Sequence, residues 1–426
     1  MKCVKRSDGL VRPIIALGLM VFLAANAVAG GKVDSGESKA GAKTDIVLMI
    51  ETASSPLNKE KIIPKLREKF PDVNFISKPK DDSQIEKAVK TTFIGGDAID
   101  IVGFWPNQMR IFTESNMALD LTPYLNADPQ WKNVWSPGAV ESGKIDGKYV
   151  AVSYRTTYPL IQINKSLFEK AGVTVKDKWT WAEFVDACKK IKANTDAFPF
   201  GINSVWGCWL VRNGLLQIWD TDAEMEAFNR GEVSFNDARV KKVFSDVDAL
   251  YKSNYIYPGE GALTSSNDQV LSAFARGRVA MIGNVNGNAM KTVKDTVAGA
   301  FEVVTVSWPN MGTPSSFRLL GGNDGYFIPA NTKHPDKVVE VLKYLTSVEI
   351  LQLWADDGKI VPSGKVTSSD ASYAAYGKDA SSVVATEIIQ ISSEINDYIV
   401  NNTPANYVLY GEKALAELED IRKAIK

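Results

Sequence analysis

The sequence predicts an α/β protein of two domains, and three observations support this prediction. Its 426 residues are enough for two domains of ordinary size. Hydrophobic residues make up 45% of the chain and charged residues 23%, as is usual for a folded globular protein. Between residues 45 and 104, short apolar runs alternate with helical patterns, which favours parallel strands connected by helices.

The first elements follow this alternation. Strands are predicted at 45–50, 73–76 and 98–104, and helices at 58–70 and 83–92. Pro64 is expected to disturb the first helix near its start, because proline lacks the N–H group that a helix interior needs. Ligands of parallel sheets bind beyond the carboxyl ends of the strands, and this rule points to residues 51–55 and 105–108.

The later part of the chain has a more helical pattern. Helices are predicted at 181–191, 236–251, 268–276 and 334–354, and strands at 277–282, 301–308 and within the glycine-rich segment 318–329. Thr180 and Glu183 form a capping box that marks the start of the first of these helices. The tail is expected to be mostly helical as far as Lys426.

The first residues have the pattern of an export signal. A basic opening precedes an apolar run at 14–27, which is too short to span a bilayer comfortably, and the run ends in a small-x-small motif at Ala29. We therefore predict a cleaved signal peptide over 1–29 and a flexible leader over 30–43, with an uncleaved anchor as the alternative. Because Cys3 precedes the apolar run, we expect a periplasmic protein without a lipid anchor.

The charge balance argues against one class of partner. Lys and Arg number 49 and Asp and Glu number 50, which leaves a net charge of -1. This balance gives no support for nucleic-acid binding. The ten Trp residues are a rather high number, and stacking against flat ligands is one use of such rings besides core packing.

The sequence carries little catalytic equipment. Its single histidine, His334, is the only imidazole available to a Ser or Cys nucleophile, and the count excludes a histidine-rich zinc site. The chain has neither a glycine-rich loop ending in Gly-Lys-Ser/Thr nor a Gly-x-Ser-x-Gly motif. We predict a protein that is not an enzyme and has no cofactor or metal, with a two-carboxylate glycosidase as an alternative.

Two cysteines follow the predicted cleavage site. An exported compartment permits a disulfide between Cys188 and Cys208. Cys188 lies on the apolar face of a predicted helix, so two buried free thiols are an equally good prediction.

Four groups of segments resemble one family of proteins. The segments are 96–102 (GDAIDIV) with 118–124 (ALDLTPY); 146–149 (DGKY) with 163–168 (INKSLF) and 179–184 (WTWAEF); 274–281 (FARGRVAM); and 320–323 (LGGN) with 358–362 (GKIVP). Each segment alone has little specificity for the family, but together and in this order the segments cover most of the chain after the export signal. The chain resembles the extracellular solute-binding proteins of ABC importers, in the sugar-binding family 1 that includes maltose-binding protein.

The resemblance implies a fold and a function. The fold would be the two-lobed type II periplasmic-binding-protein fold, in which each lobe is a mixed sheet flanked by helices. Lobe one would hold residues 44–153 and 307–329, and lobe two would hold 154–306 and 330–426, with crossings near Tyr154, Val306 and Ala330. The protein would act as a monomer that captures a mono- or oligosaccharide by lobe closure and delivers it to an inner-membrane permease.

A sugar needs aromatic rings for its C–H faces and planar polar groups for its hydroxyls. The candidates that combine these features, some of them placed by the resemblance, are Glu51, Ser54, Trp105, Asn107, Gln108, Arg155, Tyr158, Trp206, Trp209, Asn284, Asn286, Gly322, Asn323 and Asp324. Core packing is an equal alternative for Trp206 and Trp209, and Arg155 could instead pair with a carboxylate across the crossing.

Other ligands and roles stay open at this stage. The same fold could bind a polyamine, an amino-acid derivative or an organic anion, which carboxylate or Arg clusters would mark. The protein could also report its ligand to a membrane receptor, or be an exported carbohydrate-active enzyme.

Overall fold

The computed structural model describes residues 43–50, 56–81, 84–97, 99–135, 139–285, 292–357, 361–366, 378–379, 382–384 and 392–424. The strands in these residues are β1 (Thr44–Met49), β2 (Val73–Ser77), β3 (Ile101–Phe104), β4 (Lys144–Ile145), β5 (Lys148–Tyr149), β6 (Val152–Thr157), β7 (Pro159–Asn164), β8 (Phe198–Gly201), β9 (Val279–Val285), β10 (Val303–Ser307), β11 (Leu319–Leu320), β12 (Gly322–Phe327), β13 (Val361–Pro362) and β14 (Val383–Val384).

The strands form two main sheets. A six-stranded sheet has the order β13–β6–β12–β3–β1–β2, and a four-stranded sheet has the order β10–β7–β9–β8. Two short pairs, β4 with β5 and β11 with β14, complete the arrangement of the described strands.

Helices cover the faces of both sheets. They are α1 (Ile63–Lys69), α2 (Ile85–Gly95), α3 (Arg110–Thr113), α4 (Thr122–Ala127), α5 (Pro129–Lys132), α6 (Lys165–Ala171), α7 (Trp181–Asn194), α8 (Cys208–Gln217), α9 (Asp222–Asn229), α10 (Ala238–Lys252), α11 (Asn267–Ala275), α12 (Lys294–Val297), α13 (Pro335–Leu345), α14 (Val348–Asp357), α15 (Ser393–Asn402), α16 (Ala405–Tyr410) and α17 (Glu412–Ala424). Within the described residues, no helix is both long enough and apolar enough to cross a bilayer.

Each sheet is the centre of its own hydrophobic core. The six-stranded sheet packs with side chains such as Leu66, Leu342 and Trp354, and we call this unit lobe one. The four-stranded sheet packs with side chains such as Phe184 and Leu415, and we call this unit lobe two. Each fully buried large apolar side chain contributes about 1.5–3 kcal/mol relative to its exposed state, so each lobe has a substantial core.

The cores correct two of the predicted lobe boundaries. Trp308, Leu319 and Leu320 are buried in the core of lobe two, although residues 307–329 were predicted to belong to lobe one. The helices α13 and α14 are buried in the core of lobe one, although residues 330–426 were predicted to belong to lobe two. The physical reason is burial. The apolar side chains of the first segment pack in the core of the four-stranded sheet, and those of α13 and α14 pack in the core of the six-stranded sheet.

The structure therefore places the crossings between the lobes at other residues than the sequence predicts. The first lies at Tyr158, the single residue between β6 in one sheet and β7 in the other, four residues after the predicted position. The second lies at Gly321, between β11 and β12. Val306 lies inside β10, and Ala330 donates its N–H to Met117 within lobe one, so neither is a crossing.

Most predicted elements agree with the structure, but the helix predicted at 334–354 is two helices. α13 ends at Leu345 and α14 begins at Val348. The Thr346 hydroxyl donates to the Leu342 carbonyl oxygen at 2.9 Å and accepts from the indole N–H of Trp131. These bonds hold the chain in a turn where the apolar periodicity alone predicts a continuous helix.

Local signals explain two other helices. α7 begins with the predicted capping box, in which the hydroxyl of Thr180 accepts from the N–H of Glu183 and the Glu183 carboxylate accepts from the N–H of Thr180. Pro64 does not end the first helix, because a wider helical turn at Asn58–Ile62 leads into α1 and leaves the proline in its first turn.

Both described cysteines are free and buried. Cys188 lies in α7 and Cys208 begins α8. Burial raises the pKa of both thiols, so neither is a reactive thiolate in the folded protein. Of the two predictions for this pair, the structure supports free thiols.

A buried ion pair anchors the C-terminal helix to lobe two. The guanidinium of Arg422 donates to both carboxylate oxygens of Glu419 at 2.9 and 2.6 Å, and also to the Gly231 carbonyl oxygen. The backbone N–H of Phe235 donates to the same carboxylate at 2.9 Å. The bonds from Arg422, and then the one from Phe235, lower the pKa of Glu419 to about 2, although burial acts in the opposite direction.

Glu419→Gln is expected to lower the free energy of unfolding by about 3 kcal/mol at pH 7, because it leaves the Arg422 guanidinium buried without its carboxylate. The folded pKa of Glu419 lies below its ordinary value of 4.5, so the carboxylate stabilises the protein above that pH. Its contribution is lost as the pH falls towards 2. Urea unfolding at pH 7 and pH 3 should show a difference between the two proteins that shrinks in acid.

Glu349→Gln is the matched control, because Glu349 pairs with Lys65 at 2.5 Å on the surface. Solvent screens this pair, and the substitution is expected to leave urea unfolding nearly unchanged. Equal destabilisation by the two substitutions would contradict the argument from burial.

Candidate functional site

Strand directions place the ends of several strands at one edge of lobe one. β1 is parallel to β2 and β3, and β12 is antiparallel to both β3 and β6. β3 and β6 therefore point the same way, and the carboxyl ends of β1, β2, β3 and β6 share an edge. The chain leaves this edge at Tyr158.

The same reasoning gives the matching edge of lobe two. β7 begins there directly after Tyr158, and β9 and β10 are both antiparallel to β7. β8 is parallel to β9, so the carboxyl ends of β8, β9 and β10 all lie at the edge where β7 begins. The two edges meet at the first crossing, and we call them the crossing edges. In α/β sheets this is where ligands bind.

Trp105 stands at the crossing edge of lobe one. It directly follows β3, is half-buried, and contacts the ring of Phe104 at a centroid distance of 5.0 Å. The ammonium of Lys80 lies 5.8 Å from the centroid of the Trp105 ring. The Lys80 stem passes close to Gly103 of β3, since a Cβ at Gly103 would be in ordinary van der Waals contact with it at 3.5 Å. The result is an aromatic ring with a cation beside it.

A short turn of the backbone follows Trp105. The backbone N–H of Gln108 donates to the Trp105 carbonyl oxygen at 2.9 Å and closes the turn Pro106–Gln108. Asn107 is the middle residue of this turn, and the side chain of Gln108 is half-buried.

Arg155 and Asp324 form an ion pair across two strands. They are register partners in β6 and β12, and the Nε of Arg155 donates to the Asp324 carboxylate. The hydroxyl of Thr157 lies 3.5 Å from the same carboxylate oxygen. The register of β12 against β6 shifts between Asp324 and Gly325, directly beside this pair. Arg155 thus pairs with a carboxylate, as the alternative prediction has it, but the partner lies in the same sheet and not across the crossing.

Two Trp residues stand at the crossing edge of lobe two. Trp206 lies in the turn after β8, where its backbone N–H donates to the Asn203 side chain at 2.9 Å. Trp209 lies in the first turn of α8, with the Arg212 guanidinium 4.7 Å from its ring centroid. Both indoles are half-buried and pack against the core of lobe two. Each side chain therefore packs partly against the core and retains exposed surface.

Asn284 and Tyr158 are more deeply buried than the sequence predicts. Asn284 lies in β9 opposite Leu160, at the expected edge, but it is buried. Tyr158 is 1% exposed and belongs to the core of lobe two. The crossing therefore uses the Tyr158 ring for packing, which corrects its predicted place at the ligand surface.

Asn323 has an unusual environment. It follows Gly322 in β12, opposite Thr156, and is 2% exposed. Its side-chain oxygen is buried and has no hydrogen-bond partner among the described residues. An unpaired buried acceptor costs about 1–3 kcal/mol, so this atom calls for a functional explanation.

Three other candidates, Glu51, Ser54 and Asn286, lie outside the described residues, as does the side chain of Asn107. Sequence reasoning also missed Lys80. The rule that ligands bind beyond carboxyl ends of parallel strands was applied to β1 and β3, but it holds equally for β2, which leads to Lys80.

Comparison with known proteins identifies relatives. The family model described as "Bacterial extracellular solute-binding protein" matches residues 53–351. A multiple sugar-binding protein of Streptococcus mutans is 26% identical over 286 residues, which are 64% of this chain and 64% of that protein. The sn-glycerol-3-phosphate-binding periplasmic protein UgpB of Rhizobium meliloti is 37% identical over 81 residues, 18% of this chain and 19% of that protein. The chain thus spans less than two thirds of the length of either relative.

A solved structure shows the same fold. The sugar-binding protein MalE of Xanthomonas citri superposes with a TM-score of 0.73 at 16% identity, over 90% of this chain and 97% of that one. This likeness confirms the predicted two-lobed α/β fold.

Gly321→Ala is expected to lower the free energy of unfolding by about 2 kcal/mol, because the second crossing leaves no room for a side chain. A Cβ at Gly321 would collide with the Val383 side chain and lie 3.1 Å from the Thr157 carbonyl oxygen. Urea unfolding measures the effect. Gly322→Ala is the control, since a Cβ there meets no atom within 4 Å. Equal losses in both variants would show that the crossing is not tightly packed.

Proposed function

We infer that the chain, which belongs to the bacterial extracellular solute-binding proteins, captures a carbohydrate by lobe closure and delivers it to the permease of an ABC importer. The observation that carries this proposal is the composition of the two crossing edges. Trp105 with Lys80 stands on lobe one, and Trp206 and Trp209 with Arg212 stand on lobe two. Aromatic rings beside polar groups are what the C–H faces and hydroxyls of a sugar require.

Closure follows from where these groups stand. Because the rings belong to different lobes, a ligand that touches both sets gains contacts only when the lobes approach each other. Such a ligand shifts the population towards the closed state by its differential affinity for that state. The Arg155–Asp324 pair at the lobe-one edge offers hydrogen bonds without net charge, which suits a neutral polyhydroxyl ligand.

The ligand contacts that we propose combine the described candidates with those that the structure does not describe. On lobe one they are Glu51, Ser54, Trp105, Asn107, Gln108, Arg155, Gly322, Asn323 and Asp324; on lobe two they are Trp206, Trp209, Asn284 and Asn286. We further propose that the protein is exported by cleavage of residues 1–29, works in the periplasm as a monomer, and performs no chemistry on its ligand.

An organic anion is the second candidate. Lys80 places a positive charge beside the Trp105 ring, and a cation there would favour a carboxylate or phosphate. The partial likeness to a protein named for sn-glycerol-3-phosphate binding supports the same class. The carbohydrate stands first because aromatic rings occur on both edges, whereas an anion would gain little from them.

A thermal-shift screen against neutral sugars, sn-glycerol-3-phosphate, organic acids and polyamines tests the ligand class. A ligand that binds only the folded state raises the melting temperature according to its concentration relative to Kd. We expect neutral mono- or oligosaccharides to raise it. A rise with polyamines or anions alone would overturn the proposed class, and product formation from an oligosaccharide would overturn the non-catalytic role.

Trp105→Ala is expected to weaken binding of the sugar found in that screen by about 2 kcal/mol, or roughly thirtyfold, because the ligand loses its aromatic platform on lobe one. Isothermal titration calorimetry measures the change. Phe198→Ala is the matched control, since this half-buried ring also has a lysine ammonium beside it, that of Lys192 at 4.8 Å from the ring centroid, but stands at the amino end of β8, opposite the crossing edge. Unchanged affinity in Trp105→Ala would remove this ring from the site.

Asn323→Leu is expected to move stability and affinity in opposite directions. Leucine has the branching of asparagine but no acceptor, so the variant removes an unpaired buried oxygen and should raise the free energy of unfolding by about 1 kcal/mol. If a ligand hydroxyl pairs with this oxygen, binding weakens at the same time. Urea unfolding and calorimetry measure the two effects. A loss of stability with unchanged affinity would mean that Asn323 is purely structural.

A further inference from the structure

One buried side chain connects the second crossing to lobe two. The side-chain oxygen of Asn213 in α8 accepts from the backbone N–H of Leu320 at 2.9 Å. Its side-chain nitrogen donates to the Trp209 carbonyl oxygen at 3.0 Å. Asn213 is fully buried, and its bond to Leu320 is buried as well, so water does not compete for that bond.

The position of Leu320 gives this bond its importance. Leu320 is the last residue of β11 in lobe two, Gly321 follows it, and β12 of lobe one begins at Gly322. The bond therefore ends at the residue immediately before the chain changes lobes. At its other end, Asn213 holds the turn of α8 that contains Trp209 at the crossing edge.

A second buried amide lies one helical turn further along α8. Gln217 accepts from the N–H of Met311 at 2.9 Å and donates to the Arg318 carbonyl oxygen at 2.8 Å. Both partners precede β11 and remain within lobe two. Asn213 and Gln217 are thus two fully buried amides on one helix that make two hydrogen bonds each, and of the two side chains Asn213 is the one bonded to the residue beside the crossing.

From this contrast we infer that Asn213 is a positioning residue for lobe closure: it fixes the lobe-two end of the second crossing to the helix that carries Trp209. The inference rests on the lobe movement in the proposed function. With the Asn213 bond intact, β11 and α8 move as one body and bending is confined to the residues from Gly321 onward. Without it, Leu320 and its neighbours also become free to bend.

The experiment compares Asn213→Leu with Gln217→Met, each of which removes two side-chain hydrogen bonds of a buried amide with little change of shape. Interlobe distances are measured by double electron–electron resonance between spin labels at Ile94→Cys and Leu409→Cys. Ile94 lies in α2 of lobe one and is 83% exposed, and Leu409 lies in α16 of lobe two and is 62% exposed. Cys188 and Cys208 are buried and are not labelled in the folded protein, and Cys3 is replaced by serine for this experiment.

We expect both variants to lower stability, but only Asn213→Leu to broaden the interlobe distance distribution. Exchange of the Leu320 amide hydrogen should also become about tenfold faster in Asn213→Leu and stay unchanged in Gln217→Met. Broadening in both variants, or in neither, would overturn the inference, because the two substitutions would then act through stability alone. Asn213→Ser serves if the leucine variant does not fold.

These measurements need no ligand, which separates this inference from the proposed ligand class. A protein that binds no sugar but shows the expected difference between the variants would refute the carbohydrate and leave the role of Asn213 standing. A protein that binds a sugar but shows no difference between the variants would refute the role of Asn213 and leave the carbohydrate standing.

Discussion

The structure depends on one continuous stretch of chain that supplies a central strand to each lobe. β6 and β7 are separated by Tyr158 alone, yet they belong to different sheets. Because the link is one residue long, the end of β6 and the start of β7 must lie together. Strand directions then bring the carboxyl ends of β1, β2 and β3 in one lobe, and of β8, β9 and β10 in the other, to the same place. Every residue of the candidate site that the structure describes owes its position to this constraint.

The same constraint explains why Tyr158 is a core residue. The link between β6 and β7 is one residue long, and the ring of that residue is anchored in the core of lobe two. At the second crossing, Gly321 is too crowded for any side chain and Asn213 holds the preceding residue. The first crossing fixes where the lobes meet, and the second is built from a glycine and a buried amide.

The polar groups of the crossing edges are arranged in pairs and not as isolated charges. Arg155 pairs with Asp324, and Lys80 and Arg212 lie against the rings of Trp105 and Trp209. Such pairs keep the side chains in one orientation before a ligand arrives, which reduces the entropy lost on binding. Asn323 departs from this arrangement, since its buried oxygen lacks a partner among the described residues.

The sequence by itself determined the local elements: the strands at 45–50 and 73–76, the capped helix after Thr180, and the alternation that indicates an α/β fold. These depend on periodicity and capping, which act over a few residues. Tertiary structure decided which sheet covers each apolar face, and so it assigned α13 and α14 to lobe one and Trp308 to lobe two. It also decided that helix 334–354 breaks at Thr346, that Arg155 pairs with Asp324, and that Lys80 lies beside Trp105. Periodicity shows that a face is apolar, but only the three-dimensional arrangement shows what covers it.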